Sequence, residues 1–203
     1  VEMAKFKGKY RIESARLQGY DYSSEGSYFI TICAHKMQHF FGHIENEKMH
    51  LNEIGKLAEK FWKEIPDHFP HAIIDEFIIM PNHMHGIIIL NPKLMNVQTW
   101  HCDVSIPNTP NGNDTANTKE TSHCDVSTKQ QKMAAIRPKS GSLSVIIGSY
   151  KSVVSKHAHK ISKKFEWLER FHDRIIRDEN EFERIATYIR NNPKNWKDNE
   201  IFL

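Results

Sequence analysis

Two isoleucine-rich runs, "HAIIDEFIIM" (71–80) and "HMHGIIIL" (83–90), are separated only by Pro81 and Asn82. Each is short for a helix, rich in β-branched residues and bounded by turn-forming ones, which is the pattern of a strand. The two-residue separation predicts an antiparallel hairpin. The isoleucine content places both strands at the centre of a sheet.

The flanking segments must supply the rest of that sheet and cover it. "SYFITICAH" (27–35) follows Gly26 and reads as a strand. A second strand at Phe40–Glu45 is expected to pair with it, and "KMHL" (48–51) adds a third. Asn52 is a helix N-cap candidate. Behind it Ile54, Leu57, Ala58, Phe61, Trp62 and Ile65 recur at helical spacing, and Pro66 ends the helix. A further helix is expected from about Ser142 to Ile161, and a strand in the second half of "FEWLERFHDRIIR". In the closing helix Asp178 is the N-cap, Phe182, Ile185, Ala186 and Ile189 form the apolar face, and Pro193 is the stop. Strands that pair with their neighbours, interspersed with amphipathic helices, predict an α+β fold, a central antiparallel β-sheet flanked by α-helices.

The chain of 203 residues suits a single domain spanning 1–203. That domain is interrupted at about 95–139 by a stretch rich in Asn, Thr, Ser, Lys and Gln, which reads as a disordered insertion. The insertion repeats "HCDVS" at 101–105 and 123–127. Its two His–Cys pairs admit a zinc-site reading, but adjacent His and Cys are poor bidentate ligands and no ββα pattern lies between them, so a duplicated linker is the better reading. Three cysteines do not make a disulfide framework. No apolar run approaches the ~20 residues that span a membrane, and "VEMAKFKGKYRIESARL" has no apolar signal core. The expectation is a cytoplasmic protein with no membrane partner.

The hairpin carries the chemistry. In a strand, residues i and i+2 face the same way, so His83 and His85 stand side by side while Met84 enters the packing on the other face. Two neutral imidazoles so placed can share one metal ion. They can equally be two histidines on one exposed sheet face, and the spacing alone does not choose. "HAH" at 157–159 lies in a predicted helix, where i and i+2 point about 200° apart and cannot share an ion. A third ligand is available in "TYIRNNP": Asn192 lies four residues after Tyr188, on the same helix face, and offers an amide oxygen. Tyr188 itself reads either as a reactive phenol beside the ion or as a tyrosine half-buried against the sheet. Tyr150 has Val154 four residues on and lacks such a partner.

"PNHMHG" resembles the HUH motif, and a lone tyrosine in a "YI-x-x-NP" setting resembles that of the REP-associated tyrosine transposases. "RLQGYDYSSEGSYFITICAHK", "SYKSVVSK" and "FHDRIIRDENEFERIATYIRNNPKNW" resemble further blocks of that family, in order, over nearly the whole chain outside 95–139. The resemblance implies an HUH endonuclease with an RRM- or ferredoxin-like palm. It implies cleavage of single-stranded DNA at hairpins (REP-like palindromes) with Tyr188 as nucleophile, giving a 5′-phosphotyrosine. It implies Mg²⁺ or Mn²⁺ held by His83, His85 and Asn192, in a monomer or homodimer of the bacterial cytoplasm, associated with the nucleoid.

The segment 137–170 holds eight Lys and Arg against two Glu, a local charge of +6 in a chain of +3. Beside a phosphodiester-cleaving site such a stretch contacts phosphates. Lys151 and Lys156 in it, Arg174, Arg177 and Arg190 near the metal, and Arg11 and Arg16 on the N-terminal basic arm are the DNA-binding candidates. Two other function classes remain: a non-catalytic, domesticated DNA-binding regulator of the same fold, and a zinc hydrolase using the H-x-H pair. Barrel hydrolases of that kind need ~250 residues and a repeating βα pattern that is absent here.

Overall fold

The computed structural model describes residues 20–97 (backbone only at 95–97) and 139–196. The basic arm with Arg11 and Arg16, nearly all of the predicted insertion and both copies of "HCDVS" lie outside the described residues.

Strand β1 (Gly26–Cys33) is followed by the short strands β2 (Gly42–Glu45) and β3 (Lys48–Leu51), then by helices α1 (Glu53–Lys63) and α2 (Ile65–His68). Strands β4 (Ala72–Ile79) and β5 (His83–Leu90) come next. Further along the chain come α3 (Leu143–Ile161), β6 (His172–Ile176) and α4 (Glu179–Asn191). One four-stranded sheet has the order β4-β5-β1-β6, antiparallel throughout. With α1 and α3 its strands run β-α-β-β-α-β, the split βαβ of ferredoxin-like folds.

Alternation sorts the side chains of the sheet into two cores. Tyr28, Ile30 and Ile32 of β1 and Met84, Ile88 and Leu90 of β5 turn to one face, where α1 brings Ile54, Ala58 and Trp62 and α3 brings Leu143, Ile146, Ile147, Tyr150 and Val154. Ile87 and Ile176 turn to the other face, and α4 covers them with Ile185, Ala186 and Ile189. Gly86 is where the first core requires a glycine: a β-carbon there would come 2.5 Å from the ring of buried Trp62. Tyr150 is a core residue, donating its hydroxyl to the carbonyl of Ala58 at 3.1 Å.

Local signals place the helix starts. The Asn52 side chain accepts from the Gly55 amide at 2.9 Å, and the Asp178 carboxylate from the Glu181 amide at 2.8 Å. Three expectations change. Pro66 sits in the first turn of α2 rather than at the end of a longer α1, since a proline needs no partner for its missing N–H there. The second and third strands pair with each other as a separate ribbon and not with β1, whose two edges are already taken by β5 and β6. The strand β5 is central, but β4 is an edge strand. An irregularity between Ile74 and Phe77 brings Asp75 and Glu76 into β4, and Ile73 is 44% exposed, features suited to an edge.

Candidate active site

The register of β1 on β5 sets Thr31 opposite His85 and Cys33 opposite His83. Both histidines therefore open on the face covered by α4, while Met84 enters the opposite core. They are 2% and 1% exposed. Their Nε2 atoms converge to 3.1 Å.

Each ring is held from behind. His83 Nδ1 lies 2.7 Å from Asn82 Oδ1, and since the amide oxygen only accepts, this nitrogen carries the proton and leaves Nε2 bare. His85 Nδ1 lies 2.8 Å from the Thr31 hydroxyl, which can donate or accept. With no ion between the rings, His85 donates through Nε2 to His83 and accepts from Thr31. Thr31 can accept instead, so His85 can present an Nε2 lone pair without losing its anchor. Phe29 stacks on His85 at 5.2 Å between centroids. Burial lowers the pKa of His83 to about 4, and burial followed by the neighbouring His83 charge lowers that of His85 well below its usual range. Both rings are neutral at pH 7, the state in which imidazole binds metals.

From α4, Tyr188 points at this pair. Its hydroxyl lies 3.3 Å from His85 Nε2, and its ring meets Phe29 edge-on at 6.2 Å. Asn192 is buried and hydrogen-bonds the Tyr188 hydroxyl. Burial raises the pKa of this phenol, and the Asn192 bond opposes that in part.

The donor set suits a divalent ion. Two Nε2 atoms 3.1 Å apart can both reach one ion at bond lengths of about 2.1 Å. Among the described residues no third His, Cys, Asp or Glu joins them, and the buried Asn192 offers an amide oxygen at the end of α4. Such a site leaves positions open for phosphate oxygens and water.

The basic candidates divide. Arg174 is paired with Glu181 at 2.6 Å and Arg190 with Glu76 at 2.8 Å and Glu183 at 2.7 Å, all on the α4 side of the sheet. Arg177 is exposed in the turn before α4. Lys151 and Lys156 belong to α3, against the opposite face. Lys156 is exposed, whereas Lys151 gives its ammonium to the carbonyls of Leu168 and Glu169 at 2.7 and 3.0 Å. The HAH histidines serve separate carbonyls, His157 that of Val153 and His159 that of Phe165.

Sequence reasoning passed over Thr31, Asn82 and Phe29. Thr31 had a signal, a polar residue inside an otherwise apolar strand, and Asn82 sits within "PNHMHG" itself. Phe29 had none, because its role depends on strand register. Trp196 was also passed over; its ring lies 5.8 Å from that of His83.

No known protein-family model matches the chain. A Haemophilus influenzae protein described only as uncharacterized is 34% identical over 200 residues, covering 97% of this chain and 96% of that one. A solved structure of a REP-associated tyrosine transposase bound to a REP hairpin superposes on 91% of this chain and 74% of its own. Its identity is 16% and the TM-score 0.46, too low to carry function from one protein to the other. Among the described residues no helix is long and apolar enough to cross a membrane.

Proposed function

We propose that this chain, which belongs to the same family as the Haemophilus influenzae protein, is a metal-dependent endonuclease and strand transferase acting on single-stranded DNA beside a hairpin. One observation carries the reading: a phenol from the last helix lies 3.3 Å from one of two neutral imidazoles that converge on a single point, 103 residues away in sequence. Packing alone gives no reason to bury two imidazoles with converging Nε2 atoms beside a tyrosine hydroxyl.

His83, His85 and Asn192 would hold Mg²⁺ or Mn²⁺, which polarises a phosphate oxygen when bound. Asn82 fixes the tautomer of His83 and Thr31 orients the ring of His85 in either tautomer, the role that outer partners play at metal sites. Tyr188 attacks the phosphorus. Its oxygen forms the new P–O bond and its proton passes to solvent; the bond from phosphorus to the 3′ oxygen breaks, and that oxygen takes up a proton. The products are a 5′-phosphotyrosine and a free 3′-OH. The phosphodiester bond is exchanged rather than lost, so the reverse reaction rejoins strands without an energy source. Exposed Lys and Arg side chains, with Arg174 and Arg190 once freed from their carboxylates, would neutralise the DNA backbone.

The test is to incubate the protein with hairpin-bearing single-stranded DNA and Mn²⁺ and to look for a covalent protein–DNA adduct. The adduct should form with the native chain and vanish with Tyr188→Phe. An adduct that survives Tyr188→Phe removes the nucleophile assignment. Tight hairpin binding without an adduct under any divalent ion would point to the DNA-binding regulator instead, and metal-dependent ester hydrolysis indifferent to Tyr188→Phe to the hydrolase.

A further inference from the structure

Trp196 belongs to neither hydrophobic core. It follows the short 3-10 turn Asn192–Asn195 that extends α4, and it is only partly buried. Its ring lies over the edge of the catalytic pair, 5.8 Å from the His83 ring and tilted 30° to it. The exposed His39 meets it from the other chain segment at 5.9 Å and 62°.

The backbone that presents His39 makes a tight turn. Lys36 and Met37, both with β-carbons, adopt consecutive left-handed conformations at φ 52° and 57°. The turn joins Ala34 to Phe41, both buried in the first core, and carries the exposed His39 out between them. Two aromatic rings from distant segments thus meet at the lip of a site whose floor is His83 and His85.

We propose that Trp196, with His39 at its edge, is a stacking platform for the base of a nucleotide next to the scissile phosphate. The inference rests on the single-strand DNA reading above and adds a binding residue to it. Duplex bases are already stacked on one another, whereas an unpaired base has a free face for an indole. An indole within 6 Å of the His83 ring places that base within one nucleotide of a phosphate held at the imidazole pair. The platform reads the presence of a base and not its identity, because every base has a π-face.

The experiment compares the native chain with Trp196→Ala and Trp196→Phe on hairpin-bearing single strands, each with one abasic position along the segment around the cleavage point. Adduct formation with Mn²⁺ gives kcat and KM, and anisotropy gives Kd. For the native chain one abasic position should raise KM and Kd roughly 5- to 150-fold, the range of a lost base–aromatic stack. Trp196→Ala should weaken intact DNA by a similar factor and lose its sensitivity to that position, with Trp196→Phe between the two. An unchanged abasic profile in Trp196→Ala overturns the platform. So does a fall in kcat and Mn²⁺ affinity at constant KM, which would make Trp196 a cover for His83. If the native chain forms no adduct, the transferase reading fails, and the Kd profile alone decides the platform. Absence of any single-strand binding overturns both.

Discussion

Acidification should weaken the fold through His83 by an amount that can be worked out. The group ordinarily titrates at 6.5, and burial lowers it to about 4 in the folded chain. Between these values the unfolded chain holds a proton that the folded chain lacks, so stability rises with pH across this window. The contribution is fully present above 6.5, shrinks as the pH falls, and is gone below about 4. A gap of about 2.5 pH units at about 1.4 kcal/mol each amounts to roughly 3 kcal/mol, a large part of the 5–15 kcal/mol typical of a domain. His85 acts in the same direction, through burial first and the His83 charge second. Carboxylates add a background that His83→Gln shares. The measurement is therefore urea unfolding of both chains in chelator-treated buffer at half-unit steps from pH 7.5 to 4. The native advantage over His83→Gln should fall by roughly 3 kcal/mol, at up to about 1.4 kcal/mol per pH unit. Adding Mn²⁺ should steepen the native curve alone, because the ion competes with protons for neutral rings. Two curves that stay parallel from pH 7.5 to 4 would refute the idea that His83 is held neutral by burial.

Two further outcomes follow from the same face and its reverse. Thr31→Val keeps the shape of a side chain 2% exposed but removes the hydroxyl 2.8 Å from His85 Nδ1. It should weaken Mn²⁺ binding about 10- to 100-fold, as loss of an outer-shell partner typically does; Mn²⁺ electron paramagnetic resonance reads this directly. Gly86→Ala drives a β-carbon to 2.5 Å from the Trp62 ring on the opposite face, at an overpacking cost of about 1–3 kcal/mol. Its thermal unfolding midpoint should drop by several degrees, and an unchanged midpoint would mean that the Trp62 side of the core yields freely.

Whatever depends on neighbours along the chain is legible in the order of residues alone. The bounds of β5, the ribbon strand Lys48–Leu51, the caps Asn52 and Asp178 and the apolar faces of α1 and α4 follow from alternation, helical period and side-chain hydrogen bonding over three or four residues. So does the split between Met84 and its two histidine neighbours, which period two imposes on any strand. Tertiary structure decided what depends on which segments meet. That β4 is an edge, that the 42–51 ribbon stands apart from the main sheet, and that Arg174 and Arg190 are already paired with carboxylates are properties of packing. Thr31 anchors His85 only because β1 pairs with β5 in one register; a slip of one residue would turn every side chain of the strand over. Tyr188 reaches His85 only because the apolar stripe of α4 lies on the same face as Ile87. Local chemistry wrote the pair of imidazoles into the sequence, and long-range burial of α4 brought the phenol to them.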